Sequence, residues 1–582
     1  MNTDIKQIQI IVSLLKQFSI RKIVISPGTR HVPLVHIVET DPFFECYSIV
    51  DERSAGYFAL GLSEASSEPV CITCTSATAT CNYMPAMQEA YERHIQLIAL
   101  TADRARYQRF HGENQCINQV DMFRPFVRYA VDTPDVINKE DYWYCNRCVN
   151  EALLELSRPE KGPIQINFLE PLSIIRLSSF TNSEIPPTRK IDRIDAPNWV
   201  ELNNKLHCYK RILVLCGQYN KSSILNDGLQ SFIKRYNAVI TFDYFSNVEN
   251  PSFIQTALFS EIMNSEEVSL LKPDLIISFG TKVYSVLGVK YRGCNIEHWH
   301  IDPSGRVYDS IHSLKEIFAV KPEVFFESLQ NIQGDELYSD GTYLNLWNKA
   351  ISRIDPTIHG FSNHYVIRKT LEKLPAHSTV HASVLNAMRL TNYSKIPGET
   401  EVMGNICADG IDGALSSFIA QATDFDGLAL LVIGDLSYLY DLNASFSSLP
   451  DNTRILVVNN YAGGEFHYNI SESRINTLNL HIAAGHHTCI GDTIAFSNLS
   501  YLSASNDKEL DDALSSFYEQ SVGPVLLEVF TDANRDGEDL RAFLSKNRKL
   551  TKRNKIGVLV KRMLGEKLTV KLKAIVNGYR EN

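Results

Sequence analysis

The chain has 582 residues, a length that predicts three or four domains of ordinary size. Its formal net charge of -10 at pH 7 argues against a general nucleic-acid-binding protein. It contains no run of about 18–20 uncharged apolar residues, and the N-terminus carries Asp4 and Lys6 with no small-residue cleavage site. We therefore expect a cytoplasmic protein without a membrane-spanning helix or a signal peptide.

Residues 1–180 alternate between helix and strand patterns, which is typical of a parallel sheet covered on both faces. The helical patterns cover residues 4–18, 55–64 and 76–91. Short apolar strands are predicted at 22–26, 70–75, 95–101 and 164–168. We expect this segment to form the first α/β domain.

Two further segments repeat this alternation after a linker rich in Ser, Pro and charge at 178–198. Segment 199–355 has strand patterns at 212–216, 239–242, 275–279 and 299–301. Segment 356–545 has strand patterns at 379–382, 401–403, 429–433, 454–458 and 525–529. The predicted fold is an α/β protein with three doubly wound parallel-sheet domains.

Residues 546–582 have a different composition, with twelve Lys or Arg against two Glu. This basic tail is typical of a solvated terminal helix with a basic face. It is also compatible with attachment to an anionic membrane surface or to an acidic partner.

Two C-x-x-C pairs occur, Cys71/Cys74 in an apolar strand pattern and Cys145/Cys148 in a helical pattern at 141–156. Neither pair has a second C-x-x-C or a suitably spaced His pair nearby to complete four metal ligands. We expect these cysteines to be thiols in a reducing compartment rather than a zinc or redox centre.

The strongest chemical signal lies in the third segment. The strand at 429–433 runs into Gly434-Asp435-Leu436-Ser437, and the strand at 454–458 ends in Asn459-Asn460-Tyr461-Ala462. Asp435 and Asn460 are 25 residues apart, about one βαβ crossover, so both should lie at the carboxyl edge of adjacent parallel strands. A carboxylate, an amide oxygen and a backbone carbonyl can there share Mg²⁺, while Gly434 lets a diphosphate approach the backbone. The alternative is an ordinary strand-end turn with an Asp helix cap.

This arrangement resembles the diphosphate motif of thiamine-diphosphate enzymes, and the chain is most similar to the MenD family of menaquinone-pathway synthases. Seven stretches carry the resemblance: ISPGTRHVPL (25–34), DERSAGYFALGLSEAS (51–66), TSATATCNYMPAMQEAY (75–91), LTADR (100–104), ENQCINQVDMF (113–123), CADGIDGALSS (407–417) and GDLSYLYDLNA (434–444). Residues 199–355 match only loosely, and the basic tail matches nothing recognised.

The resemblance implies thiamine diphosphate and Mg²⁺ as cofactors and a role for each matching residue. Glu52 would hydrogen-bond the aminopyrimidine ring, and Gln115 would lie near the reacting carbon. Asp435, Asn460 and the Ala462 carbonyl would bind the metal. The remaining matches would contact the cofactor (Ile411, Gly434, Leu436, Ser437, Phe466) or the substrate carboxylates and reaction intermediate (Arg30, Arg104, Arg389).

The chain departs from the family pattern at several substrate positions. A family arginine is replaced by Ile406, a family serine by Leu385, and an apolar cofactor contact by Glu465. A Lys-Arg pair expected in the second segment falls near Val286-Leu287, between Lys282 and Lys290. Loss of an arginine removes a bidentate carboxylate contact, which suggests a donor with a single carboxylate or an acceptor other than isochorismate.

Three functions remain open at this level. The first is the family reaction, in which 2-oxoglutarate is decarboxylated and added to isochorismate. The second is the same cofactor chemistry on a different donor and acceptor, such as a pyruvate-like donor and a sugar carbonyl in surface-glycan synthesis. The third is a non-catalytic binding protein that keeps the fold. The resemblance also implies a homodimer or homotetramer, because in this superfamily the cofactor lies between the first segment of one subunit and the third segment of another.

Overall fold

The structure is a computed structural model that describes residues 2–169, 180–332, 339–470, 475, 477–495, 497–519 and 523–549. Its compact units are residues 1–196 with 303–319, and residues 197–302 with 320–582. The basic tail lies almost wholly outside the described residues, and the three-domain division of the chain remains a prediction.

The described residues contain the following strands: β1 Lys22–Ile25, β2 Glu45–Ser48, β3 Val70–Cys74, β4 Leu97–Asp103, β5 Tyr129–Asp132, β6 Ile164–Leu169, β7 Asp192–Ile194, β8 Ile212–Cys216, β9 Ala238–Phe242, β10 Ile254–Gln255, β11 Leu275–Phe279, β12 Glu297–Ile301, β13 Leu314–Phe318, β14 Ser378–Ala382, β15 Glu401–Met403, β16 Leu428–Gly434, β17 Thr453–Asn459, β18 Ser500–Ala504 and β19 Val525–Phe530.

The α-helices in the same residues are α1 Lys6–Gln17, α2 Val32–Thr40, α3 Glu52–Ser66, α4 Thr78–Cys81, α5 Met84–Glu92, α6 Lys139–Glu155, α7 Trp199–Leu206, α8 Ser223–Arg235, α9 Ala257–Ile262, α10 Ser265–Leu270, α11 Leu287–Lys290, α12 Pro322–Gln330, α13 Thr342–Ile351, α14 Asn363–Glu372, α15 Asn386–Tyr393, α16 Ala414–Thr423, α17 Asp435–Tyr440, α18 Gly464–Asn469, α19 Asp507–Phe517 and α20 Ala533–Asn547. None of them is long and apolar enough to cross a bilayer.

The first unit contains a six-stranded parallel sheet in the order β2-β1-β3-β4-β6-β5. Successive residues of its central strands belong to two different hydrophobic clusters, because side chains alternate between the faces of a sheet. Ile23 and Cys71 pack with α1 and α6, whereas Val24 and Ile72 pack with α3 and α5. Helices therefore cover both faces, as a doubly wound sheet requires. In the same unit β7 pairs in parallel with β13.

The second unit contains two further parallel sheets. One includes the strand order β10-β9-β8-β11-β12, and the other has the order β15-β14-β16-β17-β19-β18. The predicted fold class, α/β with three doubly wound parallel sheets, is confirmed.

One predicted element is wrong in detail. The continuous helix predicted at 76–91 is two helices, α4 and α5, separated at Asn82-Tyr83. Pro85 lies in the first turn of α5, where its missing N–H costs nothing, but its ring would clash with a carbonyl of a preceding helical turn.

The two C-x-x-C pairs lie in β3 and in α6. Cys71 and Cys74 lie in β3 but belong to the two different hydrophobic clusters, so their thiols lie on opposite faces of the sheet. All twelve cysteines are free, and burial raises the pKa of Cys74 to about 12 and that of Cys148 to about 11. The described residues hold no group of three or more His, Cys, Asp or Glu suited to a metal.

Candidate active site

The carboxyl edge of the third sheet carries a cleft whose walls come from the loops after β14, β15, β16 and β17. Parallel strands bring all their carboxyl ends to one edge, so residues far apart in the chain meet there. The polar residues that line the cleft include Asn386, Asp435, Ser437, Asn460 and Glu465. The cleft therefore combines the two loops that the sequence singled out.

Asp435 and Asn460 lie in one corner of this cleft. The backbone N–H of Asn460 donates to Asp435 Oδ2 at 3.1 Å, and the backbone N–H of Ala462 donates to Asn460 Oδ1 at 3.3 Å. Both side chains are nearly buried, at 3% and 9% exposure. A carboxylate, an amide oxygen and the peptide group of residue 462 are thus grouped as the sequence predicts.

The chemistry of this corner fits a hard cation. Among the described residues, the only ion-pair partner of Asp435 is His486, whose Nε2 lies 3.3 Å from Oδ2. A buried carboxylate is stable when it is paired or coordinates a metal, and Mg²⁺ takes few protein oxygens when phosphate and water supply the rest. Asp435, Asn460 and the Ala462 carbonyl could therefore hold Mg²⁺ with a diphosphate.

The remaining predicted cofactor contacts line the same cleft. A side-chain carbon added to Gly434 would meet no atom within 4 Å, so this glycine faces open space. Ser437 Oγ donates to the Ile411 carbonyl at 2.5 Å, which fixes the loop after β15 against the first turn of α17. Leu436 and Phe466 complete the set of predicted contacts, and Phe466 remains 39% exposed.

Asp536 supports the metal corner and was missed by sequence reasoning. Asn460 Nδ2 donates to Asp536 Oδ2 at 3.0 Å, which turns the Asn460 amide so that its oxygen faces Ala462. Thr531 Oγ1 and the backbone N–H of Asn363 also donate to this carboxylate, at 2.8 Å each. Burial raises the pKa of Asp536 to about 6, against the opposing effect of these donors. No recognised motif surrounds Asp536, so nothing in the neighbouring sequence indicated a role for it in the site.

Arg389 lies behind this cleft and is engaged by Glu465. Its Nη1 and Nη2 donate to the two carboxylate oxygens of Glu465 at 2.5 and 2.9 Å, and both side chains are 15% exposed. Burial disfavours the charge of Arg389, but the ion pair outweighs burial and raises its pKa. The sequence predicted Arg389 as a residue facing the intermediate; its guanidinium instead contacts a carboxylate of the chain itself, and its role in binding stays a prediction.

Glu52 lies at the carboxyl edge of the first sheet, in the other unit. It is the first residue of α3, and the preceding Asp51 caps that helix by accepting the backbone N–H of Ser54 at 2.8 Å. Glu52 is half-buried. Burial raises the pKa values of Cys74 and Tyr83, and the charge of Glu52 adds to both shifts.

Gln115 and Arg104 meet at the same edge as Glu52. Gln115 Nε2 donates to Thr75 Oγ1 at 3.3 Å, and Ser76 Oγ returns a bond to the Gln115 carbonyl at 2.8 Å. Arg104 Nη2 donates to the Asn114 carbonyl at 2.8 Å. The structure therefore brings these two predicted residues together at the end of β3.

Arg30 belongs to this group as well. Burial raises the pKa of the Cys116 thiol, while the charges of Arg104 and Arg30 oppose that shift, so both arginines act on one thiol. The loop after β4, which carries Arg104, is held by Arg109, which sequence reasoning missed. Arg109 Nη2 donates to Asp103 at 2.7 Å and to Asp132 at 3.1 Å, in a pairing that is mostly buried.

Comparisons with known proteins bear on both sites. Residues 5–122 match the family described as thiamine pyrophosphate enzyme, N-terminal TPP binding domain. The chain is 32% identical over 557 residues to the 2-succinyl-5-enolpyruvyl-6-hydroxy-3-cyclohexene-1-carboxylate synthase of Bacteroides thetaiotaomicron, covering 93% of this chain and 99% of the relative. It is 31% identical to the synthase of the same name from Flavobacterium johnsoniae, covering 90% of this chain and 95% of the relative.

The chain belongs to this synthase family. It is a thiamine-diphosphate-dependent enzyme that forms carbon–carbon bonds, and its cofactors are thiamine diphosphate and Mg²⁺. The resemblance read from the seven motifs is confirmed, and so is the enzyme class.

The departures from the synthase family have a clear structural setting. Ile406, which the resemblance predicts in place of a family arginine, is fully buried. Lys282 donates to the Ile406 carbonyl at 2.7 Å and forms an ion pair with Asp409 at 2.7 Å. Leu385, which the resemblance predicts in place of a family serine, lines the cleft with a φ of +64°, a left-handed conformation that is strained for a branched side chain.

Proposed function

We propose that this protein decarboxylates a 2-oxo acid and transfers the resulting acyl group to an acceptor, in the manner of its synthase relatives. The family reaction, which joins 2-oxoglutarate to isochorismate with loss of CO₂ in menaquinone biosynthesis, is the first candidate. The observation that carries the proposal is the cleft in which Asp435, Asn460 and Ala462 meet at one sheet edge.

Each residue has a role in this proposal. When bound, thiamine diphosphate would supply a nucleophilic carbon for the donor's carbonyl and an electron sink for the electron pair that remains after loss of CO₂. Asp435, Asn460 and the Ala462 carbonyl would bind Mg²⁺ and so fix the diphosphate. Glu52 would hold a proton on the aminopyrimidine ring, a task suited to a carboxylic acid that is shielded from water.

The residues that we propose for substrate binding lie in the first unit. Arg30 and Arg104 would bind substrate carboxylates, since a guanidinium forms two parallel bonds to a carboxylate. Gln115 would place its amide near the reacting carbon. Hydrogen bonds hold its loop to the end of β3 and so fix the position of this amide.

A second candidate keeps the same chemistry with a different donor. Buried Ile406 and cleft-lining Leu385 stand where the family has polar groups, and a carboxylate without a charged partner is poorly bound there. A donor such as pyruvate would need no partner for a second carboxylate at these positions, but the printed names of the relatives favour the family reaction over this candidate too. The printed names of the relatives favour the family reaction over a sugar acceptor and over a non-catalytic role.

The proposal is tested by CO₂ release from 2-oxoglutarate and from pyruvate, with thiamine diphosphate, Mg²⁺ and with or without isochorismate. We expect CO₂ release from at least one donor, and Glu52→Gln should abolish it while thiamine diphosphate still binds in calorimetry. Unchanged turnover in Glu52→Gln would reject the assignment of Glu52. No CO₂ release from any donor by the loaded wild-type enzyme would reject the function.

Assembly and location are also proposals. We infer a homodimer or homotetramer acting in the cytoplasm; twelve free thiols fit a reducing compartment. Membrane contact through the basic tail remains a prediction, which cosedimentation with anionic vesicles at low and high salt would test.

A further inference from the structure

Asn363, the first residue of α14, carries a buried amide that the chain itself does not use. The residue is 4% exposed and lines the cleft. Its amide oxygen is buried without a hydrogen-bond partner, and its NH₂ group forms no hydrogen bond with any residue that the structure describes. An asparagine amide can donate two hydrogen bonds and accept two. Because buried polar groups are nearly always bonded, this amide indicates a partner that comes from outside the chain.

The position of Asn363 connects it to the metal corner. The helix α14 precedes β14 in the third sheet, so its first turn lies at the carboxyl edge that carries the cleft. The Asp536 carboxylate joins the two places, because its Oδ1 accepts the backbone N–H of Asn363 at 2.8 Å and its Oδ2 accepts Asn460 Nδ2 at 3.0 Å. A single carboxylate therefore separates the backbone of Asn363 from a proposed metal ligand.

The start of α14 favours an anion. This helix has ten residues, and its N-cap residue Ser362 makes no capping hydrogen bond with its side chain. The Ser362 hydroxyl is likewise buried without a partner. In the part of the chain that the structure describes, Asp536 is the one side chain that accepts from the first turn, and it takes the N–H of Asn363. The N–H groups and aligned peptide dipoles at a helix start attract negative oxygen atoms, so an amide NH₂ beside them adds a donor for the same kind of ligand.

We propose that Asn363 binds an oxygen of the cofactor's diphosphate, with its amide NH₂ group as the donor. Asp435 and Asn460 would hold the metal on the diphosphate, whereas Asn363 would hold the diphosphate directly. The inference rests on the proposed function, because it takes the diphosphate to lie at Asp435 and Asn460. A substrate carboxylate offers the same chemistry to an amide, and separate measurements of cofactor and substrate binding distinguish the two ligands.

The decisive variant is Asn363→Leu, which keeps nearly the same shape and removes the amide. The dissociation constant of thiamine diphosphate at saturating Mg²⁺ should rise by about tenfold in calorimetry, as loss of one hydrogen bond to a charged group implies. Inorganic diphosphate with Mg²⁺ should lose the same factor, because the contact is with the diphosphate and not with the rings. The KM for 2-oxoglutarate at saturating thiamine diphosphate should change by less than about twofold.

Stability gives a second readout, in which a ligand-binding amide and a structural amide differ in sign. In the enzyme free of cofactor, Asn363→Leu removes a buried polar group without a protein partner, so the melting temperature should rise. Asn392 is the matched control, since it is 1% exposed and its amide is fully engaged. Its Oδ1 accepts the N–H of Tyr244 at 2.9 Å, and its Nδ2 donates to the Met388 carbonyl at 3.1 Å. Asn392→Leu should lower the melting temperature and keep the wild-type affinity for thiamine diphosphate.

Asn363→Asp covers the case in which leucine disturbs the start of α14. Aspartate keeps the shape and is favoured in the first turn of a helix, but when ionised it cannot donate, so it should weaken binding of thiamine diphosphate by at least about tenfold. Wild-type affinity for thiamine diphosphate in both Asn363 variants, or a rise only in the KM for 2-oxoglutarate, would overturn this inference and leave the carboligase function standing. Wild-type affinity for thiamine diphosphate in Asp435→Asn would instead overturn the proposed site at Asp435 and Asn460, and this inference with it.

Discussion

Replacement of Asp536 by Asn should weaken Mg²⁺ binding although Asp536 is not among the cleft-lining residues. In the structure Asp536 Oδ2 accepts a hydrogen bond from Asn460 Nδ2 at 3.0 Å. An asparagine that keeps its oxygen toward the backbone N–H of Asn363 would turn its own NH₂ group toward Asn460. The Asn460 amide would then meet a donor and rotate, moving its oxygen away from Asp435 and Ala462.

The magnitude follows from the bond that is lost. A hydrogen bond to a charged group contributes about 1.5–3 kcal/mol, and loss of a partner that orients a metal ligand typically costs about 10–100-fold in metal affinity. We expect the dissociation constant of Mg²⁺ at saturating thiamine diphosphate to rise by that factor. Calorimetric titration of Mg²⁺ into metal-free enzyme that is saturated with thiamine diphosphate measures it directly.

Thr531→Val is the matched control for this prediction. Thr531 Oγ1 donates to the same Asp536 oxygen at 2.8 Å, and among the described residues it forms no hydrogen bond with the Asn460 side chain. This variant should lose a comparable amount of thermal stability and keep the wild-type affinity for Mg²⁺. Equal Mg²⁺ affinity in Asp536→Asn and the wild type, with the fold intact, would refute the proposed orientation of Asn460.

Two further predictions concern stability. Gly28→Ala places a carbon 2.4 Å from Thr75 Cβ and should lower the free energy of unfolding by about 1–3 kcal/mol in urea titrations. Gly61→Ala in α3 adds a carbon that meets nothing within 4 Å, so it should raise the free energy of unfolding by about 0.5–1 kcal/mol. Equal effects of the two variants would contradict the close approach of Gly28 to Thr75. His364 is buried against Phe543, and burial lowers its pKa from 6.5 to about 3. As pH falls, the unfolded chain therefore binds the proton first, and the free energy of unfolding decreases below about pH 6.5. Between pH 7 and pH 5 the wild type should lose about 2 kcal/mol more of this free energy than His364→Phe. Parallel pH profiles of the two proteins would argue against a neutral buried imidazole.

The sequence was sufficient to predict the strands that are buried on both faces. Ile212–Cys216 and Leu275–Phe279 are continuous apolar runs bounded by loops, so their limits were predicted to the residue. Some edge strands were missed because they lack such a run, although the edge strand Glu401–Met403 was predicted. Glu45–Ser48 is mostly exposed, and Ser500–Ala504 is half polar.

Only those residues of the candidate site that lie at strand ends could be predicted from the sequence. Asp435 and Asn460 were found because a crossover of fixed length puts both at one sheet edge. Their supporting contacts depend on residues distant in the chain. Glu465 and Asp536 lie 76 residues after Arg389 and Asn460 respectively, and no local pattern specifies which long-range partner a buried polar group will meet.

The central proposal, which rests on the homodimer or homotetramer proposed above, is that Glu52 of one subunit and Asp435 and Asn460 of another would serve one cofactor. Co-expression of two inactive variants, Glu52→Gln and Asp435→Asn, tests it most directly. In mixed dimers one of the two sites would combine an intact Glu52 with an intact Asp435, so CO₂ release should recover to about a quarter of the wild-type rate for random pairing. A mixture that forms hybrid dimers and stays inactive would contradict the claim.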